Sequence, residues 1–240
     1  LATAVAAGTG LAALSYLVMT RPIPDSISRF FLERALPEGG GANVVNVILV
    51  DFRGFDTLGE IAVLAMAGLG VHAVLEGLRL KPYAHREIAA EADRHPVMLA
   101  MLMRPLLPLA IAVSVYIFLR GHNLPGGGFI AGLVAAVALM LQYMASGIDF
   151  ATARLRIDYV RVIGLGLGIA TLTGLASWLF GRPFLTSTYA YVHAPVVGKF
   201  EVASAIAFDL GVYLVVVAGV LLILSALGDL SKRERMAGEG

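Results

Sequence analysis

The stretch EVASAIAFDLGVYLVVVAGVLLILSAL, residues 201–227, carries a single ionisable residue, Asp209, after its opening glutamate. A helix needs about 20 apolar residues to cross the roughly 30 Å of bilayer hydrocarbon. From 204 to 227 this segment therefore reads as a membrane span with a carboxyl inside it. Further apolar blocks flanked by charge, Pro or Gly stand at about 1–20, 58–78, 98–119, 129–147 and 159–180. The expected fold class is an all-α integral membrane protein of about six transmembrane helices.

Composition agrees, with 58% hydrophobic and 15% charged residues in 240, against about 25% charged in soluble domains. A net charge of +1, with basic residues scattered between apolar blocks, gives no nucleic-acid surface. The absence of cysteine removes disulfides, thiolate metal sites and thiol nucleophiles. The first block, LATAVAAGTGLAALSYLVM, lacks a basic leader, so a transmembrane helix is expected there rather than a signal peptide. It starts at Leu1, which points to a segment of a longer polypeptide or to a trimmed one.

Between the first two spans, PDSISRFFLERALPEGGG (24–41) places Ile27, Phe30, Phe31 and Arg34 at near-helical spacing, which predicts a short interfacial helix. The run NVVNVILVDF (43–52) is too short to cross alone and is expected to be a bent lead-in to the second span. The charged stretch KPYAHREIAAEADR (81–94) divides the chain into a module at 1–80, a linker at 81–97 and a four-helix module at 98–240. Loop Lys and Arg divide 11 against 7 between the two sides, which by the positive-inside rule makes both termini cytoplasmic.

Ionisable groups in or against a span are costly in hydrocarbon and mark functional positions. In VDFRGFDTLGEIAVLAMAGLGVHAVL (50–75), Arg53, Asp56 and Glu60 fall near one helical face. Arg53 can hold Asp56 ionised, while Glu60, deeper among apolar neighbours, would favour its neutral form and exchange protons. The plainer reading is an interfacial Arg53–Asp56 salt bridge with Glu60 at the membrane edge. His72 and Glu76, four apart, can pair near the other end of that helix. Asp209 lies eight residues past Glu201, roughly 12 Å along a helix, with Tyr213 one turn on as a hydrogen-bond partner. It handles ions or makes a structural interhelical hydrogen bond. Lys199 and Glu201 read as a solvated interfacial pair.

RGHNLPGGGF (120–129) is a tight hairpin in which Pro125, Gly126, Gly127, Gly128 and Phe129 set the turn. The glycines allow close backbone approach, and packing against a partner is the first expectation. His122 is a candidate proton relay there. Gly164, Gly166 and Gly168 lie inside a span, where small residues permit close helix packing. The remaining histidines have no metal-ligand spacing, and no nucleophile elbow or phosphate loop is present, so neither an enzyme site nor a cofactor is expected.

Residues 39–75, GGGANVVNVILVDFRGFDTLGEIAVLAMAGLGVHAVL, resemble the C-terminal end of the large A-type component of Mrp-type (Sha, Mnh or Pha) multisubunit cation/proton antiporters. The hairpin helices, HPVMLAMLMRPLLPLAIAVSVYIFLRGHNLPGGGFIAGLVAA, and FGRPFLTSTYAYVHAPVVGKFEVASAIAFDLGVYLVVVAGV resemble the small B-type component. Their order in one chain resembles a fused AB form. The resemblance implies membership of a bacterial inner-membrane complex that exchanges Na⁺, or K⁺ or Li⁺, for protons. It also implies partners in the rest of the A type and in components of the C, D, E, F and G types, together with membrane lipid. Glu60 would relay protons or cations, and Arg53 would tune it. The antiporter-like helices of the A type are not among these residues, so antiport by this chain alone is not expected. The runner-up is a membrane-arm component of a redox-driven complex such as a membrane-bound hydrogenase.

Overall fold

The structure is a computed structural model that describes residues 2–22, 26–78, 97–146, 157–194 and 198–238. Helix α1 (Ala2–Met19) is apolar along its length and buries none of its residues within the chain. The interfacial helix is present as α2 (Ser28–Gly39), with ion pairs Arg29–Glu33 at 2.8 Å and Arg34–Glu38 at 3.4 Å along its exposed side. Gly40 ends it in the left-handed region (φ 75°), donating its N–H to the Leu36 carbonyl, a conformation that costs glycine least. Phe30 and Phe31 meet Phe52 edge to face, at 6.0 and 5.5 Å between ring centres.

The apolar run at 43–52 does lead into the second span with a bend. Asn43 caps a short α3 (Val44–Val47), accepting from the Asn46 N–H at 3.3 Å, and the chain widens into a π-helical turn at Ile48–Phe52. Arg53, with φ −127°, breaks the helix, and α4 (Gly54–Gly77) starts afresh. The Thr57 hydroxyl donates to the Leu49 carbonyl at 2.7 Å, so the wider turn leaves that acceptor satisfied. The proposed linker at 81–97 lies outside the described residues except for Val97.

Beyond it run α5 (Val97–Arg120), α6 (Gly128–Ser146), α7 (Tyr159–Leu179) and α8 (Ser204–Gly238). Asp158 caps α7 by accepting from the Arg161 N–H at 3.1 Å. With α1 and α4 these make six helices long and apolar enough to cross a membrane. The apolar pattern did not predict a strand pair: β1 (Tyr189–Ala194) and β2 (Gly198–Ala203) run antiparallel between the last two spans, Tyr189 opposite Ala203.

Helix α8 sits at the centre, packed by α4, α6 and α7. Its Phe208, Val212, Val215 and Val216 are fully enclosed, together with Ile61 of α4 and Ile163 of α7. Of Gly164, Gly166 and Gly168 in α7, Gly166 is the one at a crossing: a Cβ there would lie 2.8 Å from the Gly211 carbonyl, and a Cβ on Gly211 would lie 2.6 Å from that of Gly166. Gly164 and Gly168 face open space. Large apolar side chains such as Leu11, Met66, Leu109 and Leu172 cover the outside, as a hydrocarbon solvent requires.

Candidate ion-handling site

At the end of the bundle where α5 turns into α6, polar side chains from both halves of the chain converge. The hairpin glycines make this possible. Gly127 has φ 126°, and a Cβ on it would stand 2.6 Å from Asn46 Oδ1 and 3.5 Å from Asp209 Oδ2. A Cβ on Gly128 would run into the Asp209 carbonyl, and one on Gly126 into that of Ile117. The partner expected for the hairpin is therefore found within the chain: α8 on one side and the 41–46 segment on the other.

That second contact is a line of hydrogen bonds. Asn43 Nδ2 donates to the carbonyls of Gly121 at 2.8 Å and Leu124 at 2.9 Å. The Asn43 N–H donates to the His122 carbonyl at 3.2 Å, and the Ala42 N–H to Asn123 Oδ1 at 3.1 Å. Asn43 thus caps α3 with its oxygen and ties the hairpin with its nitrogen.

Asp209 is buried, at 7% exposure, at the centre of this junction. Its carboxylate accepts from the Gly128 N–H and faces the Asn46 side-chain amide. Asn46 is itself 5% exposed, and its Nδ2 makes no close hydrogen bond among the described residues. Tyr213 is not the partner of Asp209: that hydroxyl lies 3.2 Å from Ser114 Oγ, which donates to the Ala131 carbonyl at 2.8 Å, and its ring packs on Phe118. One helical turn carries Tyr213 round to α5 and α6, so the aspartate draws instead on the hairpin backbone and on Asn46.

The other three sequence candidates do not join this cluster. Arg53 and Asp56 form an exposed ion pair at the start of α4. Glu60, one turn on, is exposed on the same helix rather than enclosed by apolar neighbours of this chain, and has no ion pair among the described residues. His72 and Glu76 approach to 3.9 Å at the far end of α4, where Arg233 of α8 donates to the Glu76 carbonyl at 3.2 Å. The side chains of Lys199 and Glu201 lie outside the described set.

Two ionisable residues enter the junction that charge spacing alone did not bring together. Asp51, on the π turn, accepts from the Ser187 N–H at 3.2 Å, and Arg182 donates to the Ser187 carbonyl at 3.0 Å. Burial pushes the Asp51 carboxyl above its ordinary value, opposed by the Ser187 hydroxyl and N–H and by the positive charge of Arg182 and of His122 when protonated. His122 is 6% exposed. Asn43 and Asn46 carry no charge to draw attention, although two asparagines inside an apolar run are a signal of buried hydrogen bonding. No group of three His, Asp or Glu residues suited to a metal occurs among the described residues.

Residues 98–222 match the family described as a domain related to the MnhB subunit of the Na⁺/H⁺ antiporter. The chain belongs to this family. Residues 1–94 match a second family, the E-type component of MBH. Over 96% of its length the chain is 48% identical to the probable K⁺/H⁺ antiporter A/B protein of Rhizobium meliloti (strain 1021), covering 25% of that protein. It is 43% identical to the B-type component of the Na⁺/H⁺ antiporter of Bacillus subtilis (strain 168), where half of the chain covers 85% of the relative. The Mrp complex of Dietzia sp. DQ12-45-1b contains a chain that superposes with a TM-score of 0.76 at 37% identity, covering 95% of this chain and 25% of that one. A chain of an archaeal respiratory membrane complex, the membrane-bound sulfane sulfur reductase, superposes at 0.66 with 27% identity and is covered over 98% of its length. The MnhB-family chain thus spans a quarter of the length of the A/B relative.

Proposed function

We propose that this MnhB-family chain is a membrane subunit of a multisubunit cation/H⁺ antiporter, working as a transporter component rather than an enzyme. The observation that carries the reading is the buried Asp209, which accepts from the Gly128 N–H and faces the Asn46 side chain at a junction of both sequence modules. A carboxyl enclosed in a span, with no ion pair among the described residues, is either protonated or cation-bound, and can exchange one for the other. The likeness to the A/B and B proteins supports exchange of a monovalent cation, Na⁺ or K⁺, for protons. Other antiporter subunits are its partners, and exposed Arg53, Asp56 and Glu60 offer them a charged face on α4. The likeness to the two bacterial antiporter proteins supports a bacterial inner-membrane placement, and the loop charges support cytoplasmic termini.

Everted vesicles carrying the complete complex test this. Added Na⁺ or K⁺ is expected to dissipate a respiration-generated pH gradient, and deletion of this chain to abolish that effect. Persistence of cation-driven proton movement without the chain would refute the reading. A second reading, a membrane-arm component of a redox-driven complex, draws on the match to the MBH family and on the sulfane sulfur reductase likeness. It requires proton pumping on addition of an electron donor, with no response to added cation in its absence.

A further inference from the structure

The segment between α7 and β1 folds back on α7 instead of leading straight away from it. The Arg182 N–H donates to the Ser177 carbonyl at 3.1 Å, the Leu185 N–H to the Gly174 carbonyl at 3.3 Å, and the Ser177 hydroxyl to the Thr186 carbonyl at 2.9 Å. Leu185 takes a left-handed backbone there (φ 63°), an uncommon conformation for a side chain of its size. The next residue, Ser187, has its backbone engaged on both sides, the N–H by Asp51 and the carbonyl by Arg182. Its hydroxyl is not so engaged. Ser187 is 3% exposed, and its Oγ, although beside the Asp51 carboxylate, makes no close hydrogen bond among the described residues. Buried hydroxyls are nearly always hydrogen-bonded, so this one calls for a partner.

Ser187 lines a cavity of about 10 Å³ together with Thr173 and Ser177 of α7 and Ser204 of α8, while Val50 of the π turn and Phe208 of α8 supply apolar wall. That is close to the volume that accommodates one water. The hydrogen bonds already made around the cavity define what a guest would meet. Thr173 Oγ1 donates to the Ile169 carbonyl at 2.8 Å and Ser177 Oγ to that of Thr186, so both have only lone pairs left to offer. Ser204 Oγ accepts the Thr188 N–H at 2.9 Å and keeps its own proton to give. A molecule that donates twice and accepts twice matches this set, and two to four polar partners are what a buried water requires. A bare cation matches less well, because neither Asp51 nor Arg182 lines the cavity and no lining residue carries a charge to offset lost hydration.

We propose that this cavity is the binding site of a single internal water, held by Ser187 Oγ and Ser204 Oγ and sharing the lone pairs of Thr173 and Ser177. The water completes the hydrogen bonding of Ser187 and ties the loop after α7 to the start of α8. Through Ser187, whose N–H holds Asp51, it also fixes the π turn of the first module against the second. Ser187 and Ser204 are its positioning residues. The site does not depend on the antiporter reading, since it follows from hydrogen-bond capacity and volume alone.

The test is electron cryo-microscopy of the complete complex at a resolution that shows ordered water, on samples prepared once in Na⁺ and once in choline. One density peak is expected in the cavity in both maps, within about 3 Å of Ser187 Oγ and Ser204 Oγ. A cavity without density in both maps would overturn the proposal. So would a peak present in Na⁺ and lost in choline, which would make the cavity a cation site instead. In Ser187→Ala and Ser204→Ala complexes the peak is expected to be lost, and an undiminished peak in both variants would overturn the assignment of its partners. Where neither variant assembles, the two wild-type maps decide by themselves. The density is read without turnover, so a complex that shows the water but no cation-driven proton movement would defeat the functional reading and leave the site standing.

Discussion

Asp209 was visible in the sequence because a lone carboxyl in an apolar run of span length has few inexpensive explanations. Its partners were not visible, because Asn46 and Gly128 lie far away in the chain and meet it only through folding. Asp51 escaped for a different reason: it ends a run too short to be a span, and Arg53 and Asp56 nearby offered a more obvious pair. That exposed pair predicts little for stability. Arg53→Ala should change thermal stability in detergent by less than about 1 kcal/mol, so a large fall in antiport without loss of assembly would place its role at a contact with a neighbouring protein of the complex. Asp51 behaves oppositely with pH. Its folded-state affinity for the proton is raised, so the folded state binds more protons than the unfolded one, and its contribution to stability falls as pH rises through and above the ordinary carboxylate range. Asp51→Asn is expected to flatten the stability profile from about pH 4 upward, measured by unfolding at a series of pH values. An unchanged slope would contradict the buried placement.

At the scale of elements, the Pro-Gly hairpin announced close backbone approach, and that is what Gly126 and Gly128 provide. The sequence left open what approaches. The answer is the Asp209 carbonyl and Asn43, so a hairpin expected to pack against a partner is first an internal clasp. Gly128→Ala should force the hairpin off α8 and cost about 1–3 kcal/mol as overpacking, with the melting of the purified chain as the readout. Asn43→Ala removes two donated bonds and one cap, leaving two hairpin carbonyls unpaired, for a loss of about 2–4 kcal/mol. A neutral effect of either substitution would show that the clasp does not hold the junction. The strand pair at 189–203 was not legible, since its residues have neither the length nor the apolarity of a span and lie beside one that dominates the pattern.

For the whole molecule, six spans and the interfacial helix followed from apolar length and flanking charge, properties that survive any arrangement of the helices. Which helix sits at the centre did not follow. The crossing of Gly166 with Gly211 puts α8 against α7, and a Cβ on Gly132 would meet Val216 at 3.0 Å, so α8 takes the middle and carries Asp209 there. The family matches place residues 1–94 and 98–222 in two different families, yet the buried polar junction draws on both. A chain whose halves share one sealed ionisable cluster is expected to lose ion coupling when the docking of the halves is disturbed, even with every charged residue retained. The most direct measurement is Asp209→Asn in the complete complex, assayed in everted vesicles alongside co-purification of the other subunits. The account predicts an assembled complex whose cation-driven proton movement falls by at least about 10²-fold. An assembled complex with wild-type exchange would contradict it.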